Sequence, residues 1–391
     1  MTYDFNQSID RRDTDCVKYD LLQSLYGRTD ITPMWVADMD FAAPQCVIDA
    51  ITERCQHPVL GYAVQPKGYT EAVTHWLYSH YGINAQPNQL HFMPGIVAGI
   101  SFALLALTNP SDRILVTTPV YPPFLNLPTG CGRTVVKSRL KITDGRFAID
   151  LDDFERQARG CKMLILANPH NPAGTIWCEA DLQRIADICH RNGIIVVSDE
   201  IHADLTLENR RHHSYSTVSA LAAAHSITFT APSKTFNIAG LSSSVCYVAN
   251  NDLRQRFFGW LDALGVAQGS IFAYVGAQAA YAHGEPWLQQ LKVHLASNRD
   301  LLKHTAASIL PRLKVILPEA SYLAWLDFSD YNLPHSTTSQ KLINEAHVAL
   351  NDGTTFGGKE YENCFRMNIG CPQPTLSDAL QRIATAFENI S

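Results

Sequence analysis

The chain has 391 residues, of which 46% are apolar and 17% charged, with a formal net charge of −6. A chain this long and apolar supports more than one core-forming unit, and its lack of a basic block excludes recognition of a nucleic-acid backbone, which needs clustered Lys and Arg. No apolar run is long enough to span a bilayer. The polar start "MTYDFNQSIDRRDTD" does not read as a secretory leader, so a cytoplasmic location is expected.

In chain order, residues 1–45 are rich in Pro, Asp and Arg and are expected to pack with the C-terminal part of the chain. Residues 46–285 read as a large unit. It holds "MPGIVAGISFALLAL" (Met93–Leu107), a glycine turn opening an apolar helix. Short apolar runs follow, each ending in polar residues or proline: Arg113–Pro119, Met163–Pro169, Ile194–Glu200, Ser226–Ser233 and Ser244–Asn250. A helical pattern over Glu179–Arg191, closed by Asn192–Gly193, separates two of them. Such alternation predicts an α/β fold with a mostly parallel sheet covered by helices on both faces. Residues 286–391 change texture. A long helix over Pro286–Leu310 leads to the strand-like "SYLAWLDF" and "CFRMNIG" and then to a final amphipathic helix, which suggests a smaller α+β unit. Ten cysteines lie scattered with no C-x-x-C pair, as expected of small buried hydrophobes in a reducing compartment. The pair His212–His213 has no ligand-spaced partners, and no metal is expected.

Ligands of parallel α/β sheets bind beyond the carboxyl ends of the strands, so the residues there carry the functional question. Asp199 closes one apolar strand and Lys234 follows the next. A buried ammonium is either paired with a carboxylate or used as an amine, and these two could simply pair with each other. They also suit pyridoxal phosphate: the lysine condenses with the aldehyde, and the aspartate keeps the pyridine nitrogen protonated. Three further features favour the second use. Asn171, in the turn "NPHNPAGT", can donate to the cofactor's phenolate oxygen. The first amides of the helix after Gly95, near Val97, suit a phosphate. Tyr121, just past a strand end, can stack on a flat ring.

With the order Gly turn, strand-end Tyr, N-P-x-G, "SDEIH", "SKTFN" and R-x-N-x-G, the chain resembles the fold-type I pyridoxal phosphate enzymes of the class I/II aminotransferase group. Within that group "PMWVADMDF", "GYAVQPKGY", "SDEIHADL", "SKTFNIAGL" and "YLAWLDF" resemble the PatB/MalY-type cystathionine β-lyases. The resemblance implies that Lys234 bonds to the cofactor, Asp199 faces its ring nitrogen, Asn171 its ring oxygen and Tyr121 its face. It places Gly95, Ile96, Val97 and Ser233 around the phosphate and His202 near the ring. It also implies a homodimer in which Tyr62 reaches the phosphate of the neighbouring subunit, and a substrate carboxylate held by Arg366 with backbone near Val36 and Ala37. Trp35, Phe41, Tyr121 and Tyr322 suggest an apolar aromatic lining. Two positions depart from many relatives: Ala231 stands where a phosphate-binding Ser is common, and Ser242 where aminotransferases often have an Arg.

The expected activity is carbon–sulfur β-lysis of cystathionine or a related cysteine thioether, with Lys234, Asp199 and Tyr121 as catalytic residues. The alternatives are an aminotransferase using the same residues, and a cofactor-binding protein with a regulatory interaction role.

Overall fold

The structure is a computed structural model and describes residues 2–388. Its centre is an eight-stranded sheet. In spatial order the strands are Leu90–Met93, Ser244–Tyr247, Ser226–Thr230, Ile195–Asp199, Cys161–Ala167, Arg113–Thr118, Thr134–Thr143 and Arg146–Ile149. The five from Ser226–Thr230 to Thr134–Thr143 run parallel, which is the α/β arrangement expected from the sequence. Ser244–Tyr247 differs from its parallel-looking neighbours in the sequence: it runs antiparallel to both strands beside it. The link from Thr230 to Ser244 holds only the helical turns Pro232–Thr235 and Ala239–Leu241, not a helix long enough to cross the sheet as between the parallel strands.

Alternation along the central strands feeds two cores. Ile114, Val116, Met163, Ile165 and Val197 face one side, against the helices Ile96–Leu107 and Asn251–Leu264. Leu115, Leu164, Leu166 and Val196 face the other, against Leu151–Ala158 and Glu179–Arg191. Apolar residues on both faces are what a parallel sheet covered by helices demands. The period of two also decides the chemistry. Asp199 shares its face with Val197 and therefore points to the side of the Ile96–Leu107 helix, while Glu200 points away.

A second, four-stranded antiparallel sheet is formed by Lys314–Ile316, Leu323–Asp327, Cys364–Asn368 and Asn351–Asp352 in that order. It is backed by the helices Glu285–Ile309 and Gln373–Phe387. The chain start joins this part of the molecule: Thr32–Pro33 pairs in parallel with Val348–Ala349. Residues 35–41 then run as a strap toward the end of the large sheet. Asn368 Nδ2 donates to the carbonyls of Val36 and Asp38, both at 2.6 Å. Asn237 receives the Met39 amide at 2.9 Å and donates to the carbonyls of Met39 and Phe41. Beneath the strap, Lys18 is fully buried and pairs with Asp40 at 2.7 Å.

Among the contacts between the two parts, one is tightly keyed. Backbone amides of Glu319 and Ala320 donate to the carbonyl of Gly174, in the turn that holds Asn171. Gly174 has φ +66°, and a Cβ on it would lie 2.1 Å from the Ala320 carbonyl oxygen. Both the left-handed backbone and the space require glycine here. The Glu319 carboxylate then takes Arg146 at 2.9 Å, Arg210 at 3.0 Å and the Ile176 amide at 2.8 Å. Gly174→Ala is expected to lower stability by more than about 2 kcal/mol, through backbone strain plus overpacking. Urea unfolding at neutral pH measures this, and a loss below about 0.5 kcal/mol, the scatter of neutral substitutions, would contradict the keyed contact.

Candidate active site

Beyond the carboxyl ends of the parallel strands lies a cavity of about 440 Å³. Ten of the residues singled out from the sequence line it: Ala37, Gly95, Ile96, Val97, Tyr121, Asn171, Asp199, His202, Ser233 and Lys234. Four others do not. Val36 turns its carbonyl to Asn368. Tyr322 and Arg366 are buried behind the strap, and Tyr62 is fully exposed on a loop before the helix Lys67–Tyr81.

Lys234 sits in the single helical turn Pro232–Thr235, directly after the strand Ser226–Thr230. Its Nζ donates to the Ala37 carbonyl at 2.6 Å, and among the described residues no carboxylate lies within ion-pair distance of it. Burial pushes its pKa down to about 8, against the opposing pull of Asp38. Simple pairing between Lys234 and Asp199 is therefore not what the structure shows. Asp199 is buried, and its Oδ1 accepts the Ile201 amide at 3.1 Å. Loss of hydration pushes this carboxyl up to about 7, as expected of a buried acid with no ion-pair partner among the described residues.

Arg366 occupies the middle of the small sheet, with Asn351 and Trp325 as its register partners. It is 4% exposed. Its Nη1 donates to Asn171 Oδ1 at 2.9 Å, and its Nη2 to the Trp35 carbonyl at 2.9 Å and Asn351 Oδ1 at 2.6 Å. Phe356 lies beneath it, 5.1 Å from ring centroid to guanidinium carbon. Burial pulls its pKa down to about 10, so it remains a cation at neutral pH. Every partner is neutral and Nε is unpartnered. This is a buried guanidinium still short of an anion.

With Oδ1 committed to Arg366, Asn171 has its NH₂ left to donate. At the opposite end, the helix Ile96–Leu107 opens at Gly95, whose φ of +105° suits glycine and lets the first amides turn toward the cavity. Ser233, Ser242, Ser243 and Ser244 complete that end, and Ala231 also lines it. His202 is buried, lines the cavity and has Nδ1 unpartnered. Burial, reinforced by Lys234 and Arg366, holds its pKa at about 3, so the ring is neutral.

The donor set fits pyridoxal phosphate. It offers an amine free of carboxylates, a buried carboxyl short of a cation, an amide donor and a helix N-terminus with hydroxyls. Comparison with known proteins agrees. Residues 29–383 match the family model "Aminotransferase class I and II". The chain belongs to that family. It is 38% identical to the cystathionine β-lyase PatB of Bacillus subtilis over 98% of this chain and 99% of that one. Cystalysin of Treponema denticola, solved with its pyridoxal 5′-phosphate cofactor, superposes with a TM-score of 0.95 at 29% identity, over the full length of both chains. The pyridoxal-phosphate-bound C–S lyase of Staphylococcus hominis does so at 0.91 and 32% identity, covering 99% of this chain and 98% of its own. The cofactor of the family member described here is pyridoxal phosphate.

Several residues of the site carry roles that the motifs do not assign. Asn368 and Asn237 fasten the strap, and Asn351 orients Arg366. For the first two, the signal was present as the asparagines of R-x-N-x-G and S-K-T-F-N. Nothing in the sequence points to Asn351, which reaches Arg366 only through cross-strand register. His170 was another unassigned motif residue. It is buried, with Nε2 on the Pro119 carbonyl at 2.8 Å, just before Tyr121.

Burial lowers the His170 pKa from 6.5 to about 4. Unfolded chain therefore binds a proton between these values that folded protein does not, and stability falls as pH drops from 6.5 toward 4. His170→Gln should flatten this slope. Thermal unfolding across that window checks it, and an unchanged slope would place the acid sensitivity elsewhere.

Proposed function

We propose that this protein is a carbon–sulfur β-lyase that cleaves L-cystathionine, or a related cysteine thioether, with water to a thiol, pyruvate and ammonia. It works as a homodimer whose cavities are each completed by the other protomer. The observation that carries the reading is the charge inventory. Among the described residues Lys234 is the only Lys or Arg lining the cavity, and behind it Arg366 is one buried guanidinium without an anion. The site thus has one carboxylate receptor. The rest of its lining, including Ile96, Val97, Phe124, Ile201 and Ala239, suits an uncharged thioether better than a second carboxylate.

When bound, pyridoxal phosphate supplies the electron-accepting ring that makes the α-proton acidic and lets the β-substituent depart. The protein's share is positioning and proton handling. Arg366 receives the substrate carboxylate through paired hydrogen bonds, and its tie to Asn171 fixes that carboxylate relative to the ring. Lys234 Nζ, with a pKa lowered to about 8, is partly free amine near neutrality and takes the proton from the substrate's α-carbon. Such general base catalysis contributes about 10²–10⁴-fold. The Ala37 carbonyl, 2.6 Å away, stabilises the ammonium that results. Asp199, which lines the cavity, would face the ring nitrogen and favour its protonated form. Neutral His202 and the Tyr121 ring line the faces. The aminotransferase alternative would use the same residues, so products decide between them.

The purified holoenzyme is expected to convert cysteine thioethers to equal amounts of thiol, pyruvate and ammonia without an added oxoacid. Arg366→Lys should raise KM at least about 10-fold, because lysine cannot reproduce the bidentate contact. Turnover that requires an oxoacid, with no thiol released, would replace the lyase reading by the aminotransferase one.

The homodimer is supported by the loop before the helix Lys67–Tyr81, which exposes Val59, Leu60, Tyr62 and Val64. A run of four exposed large apolar residues within six positions needs cover. Among the described residues lining the cavity there is no cation other than Lys234, so a hydroxyl from the neighbouring Tyr62 would add a phosphate ligand. Light scattering should give twice the chain mass. Tyr62→Phe should keep that mass while weakening cofactor retention severalfold in dialysis. A monomer active at full rate would rule out the shared site.

A further inference from the structure

Asp204 is a buried carboxylate that the mechanism above does not use. It is 6% exposed and lies in the turn Ala203–Leu205, five residues past Asp199. Its Oδ1 accepts from Trp76 Nε1 at 3.0 Å and from the Tyr81 hydroxyl. Its Oδ2 accepts from Thr235 Oγ1 at 2.7 Å. Among the described residues no Lys, Arg or His lies within ion-pair distance. Burying a carboxyl group costs several kcal/mol unless its oxygens are satisfied, and here donors from two separate segments, the helix Lys67–Tyr81 and the Lys234 turn, satisfy both. Only a carboxylate accepts on both oxygens at once; an amide of the same shape accepts on one.

What Asp204 joins is informative. Thr235 directly follows Lys234, is fully buried and ends the same helical turn. Trp76 and Tyr81 belong to the helix Lys67–Tyr81. Asp204 itself continues the chain segment that carries Asp199 and His202. Lys234 and Asp199 do not touch, yet in the proposed reading both would address one bound cofactor ring. Their spacing has to be set from behind.

We propose that Asp204 is a positioning residue for Lys234, acting through the Thr235 hydroxyl to lock the lysine-bearing turn to the strand end that carries Asp199. The proposal rests on the assignment of Lys234 as the cofactor-bearing, proton-accepting amine. On the other side of the turn, Asn237 grips the strap at Met39 and Phe41, so the lysine is framed by two polar anchors. The Asn237 anchor leads to the strap and the Asp204 anchor to the sheet.

Thr235→Val removes the hydroxyl at nearly constant shape, and Thr235→Ser keeps it. Each is prepared as holoenzyme and compared with wild type for kcat and KM on a cysteine thioether. The pH midpoint of the visible absorbance of the bound cofactor, and borohydride trapping of cofactor on residue 234, are measured alongside. Thr235→Val is expected to lower kcat by about 10–100-fold, as for a misplacement on the order of 1 Å, with KM changed less than about 3-fold. It should also move the absorbance midpoint and slow trapping. Thr235→Ser should restore all three to within about 3-fold of wild type. Asp204→Asn, where it folds, should reproduce the valine variant. An unchanged kcat and absorbance midpoint in Thr235→Val would overturn the proposal. So would a serine variant as impaired as the valine one, since the hydroxyl would then not be the link. Failure of the underlying assignment is read separately on unmutated protein: trapped cofactor on any lysine other than Lys234 would remove it.

Discussion

The hydrogen bond from Lys234 Nζ to the Ala37 carbonyl is where the parts of this molecule converge. Lys234 comes from the end of the large sheet, and Ala37 from the strap contributed by the chain start. The same carbonyl accepts the Tyr322 hydroxyl at 2.9 Å, from the small sheet. A buried amine needs an acceptor, and a backbone carbonyl satisfies it without neutralising it. A carboxylate in that place would raise the amine's pKa and hold it as an ammonium. The neutral partner leaves the pKa low enough for the amine to exchange protons near neutrality.

The same economy of charge runs through the rest of the site. Arg366 is surrounded by two asparagines, a carbonyl and an aromatic face, all neutral, and so its charge is not met by an anion among the described residues. Asp199 accepts the Ile201 amide but, among the described residues, meets no cation at contact distance. Carboxylates that are fully paired, such as Glu319 with two arginines or Asp40 with Lys18, stand outside the cavity and hold segments together. Pairing builds the scaffold, and withheld pairing makes the site receptive.

The scaffold also sets what is close to what. Parallel strands bring Asp199 and the Lys234 turn to one edge, and alternation sends Asp199 to the face of the Ile96–Leu107 helix. The contact keyed at Gly174 then brings the small sheet onto the turn that holds Asn171, which places Arg366 beside the cavity. A cofactor-sized space results between elements that are far apart in sequence. Relatives of similar length, solved with pyridoxal phosphate, share this backbone arrangement closely.

By itself the sequence determined the α/β class and pointed to the strand ends to inspect, with Lys234, Asp199, Asn171 and Gly95 among the residues there. These are local matters: apolar runs, turn residues and residue types whose burial has a chemical consequence. The motif resemblance added Arg366 and the lyase branch. Tertiary structure alone decided that Ser244–Tyr247 runs antiparallel, that Lys234 rests on Ala37 rather than Asp199, and that Asn351 orients Arg366. It also decided that Asp204 lies behind the lysine. Each of these depends on register or on a contact between segments tens to hundreds of residues apart. The pattern of one segment shows what that segment must bury; it does not carry which atom of another segment will meet it.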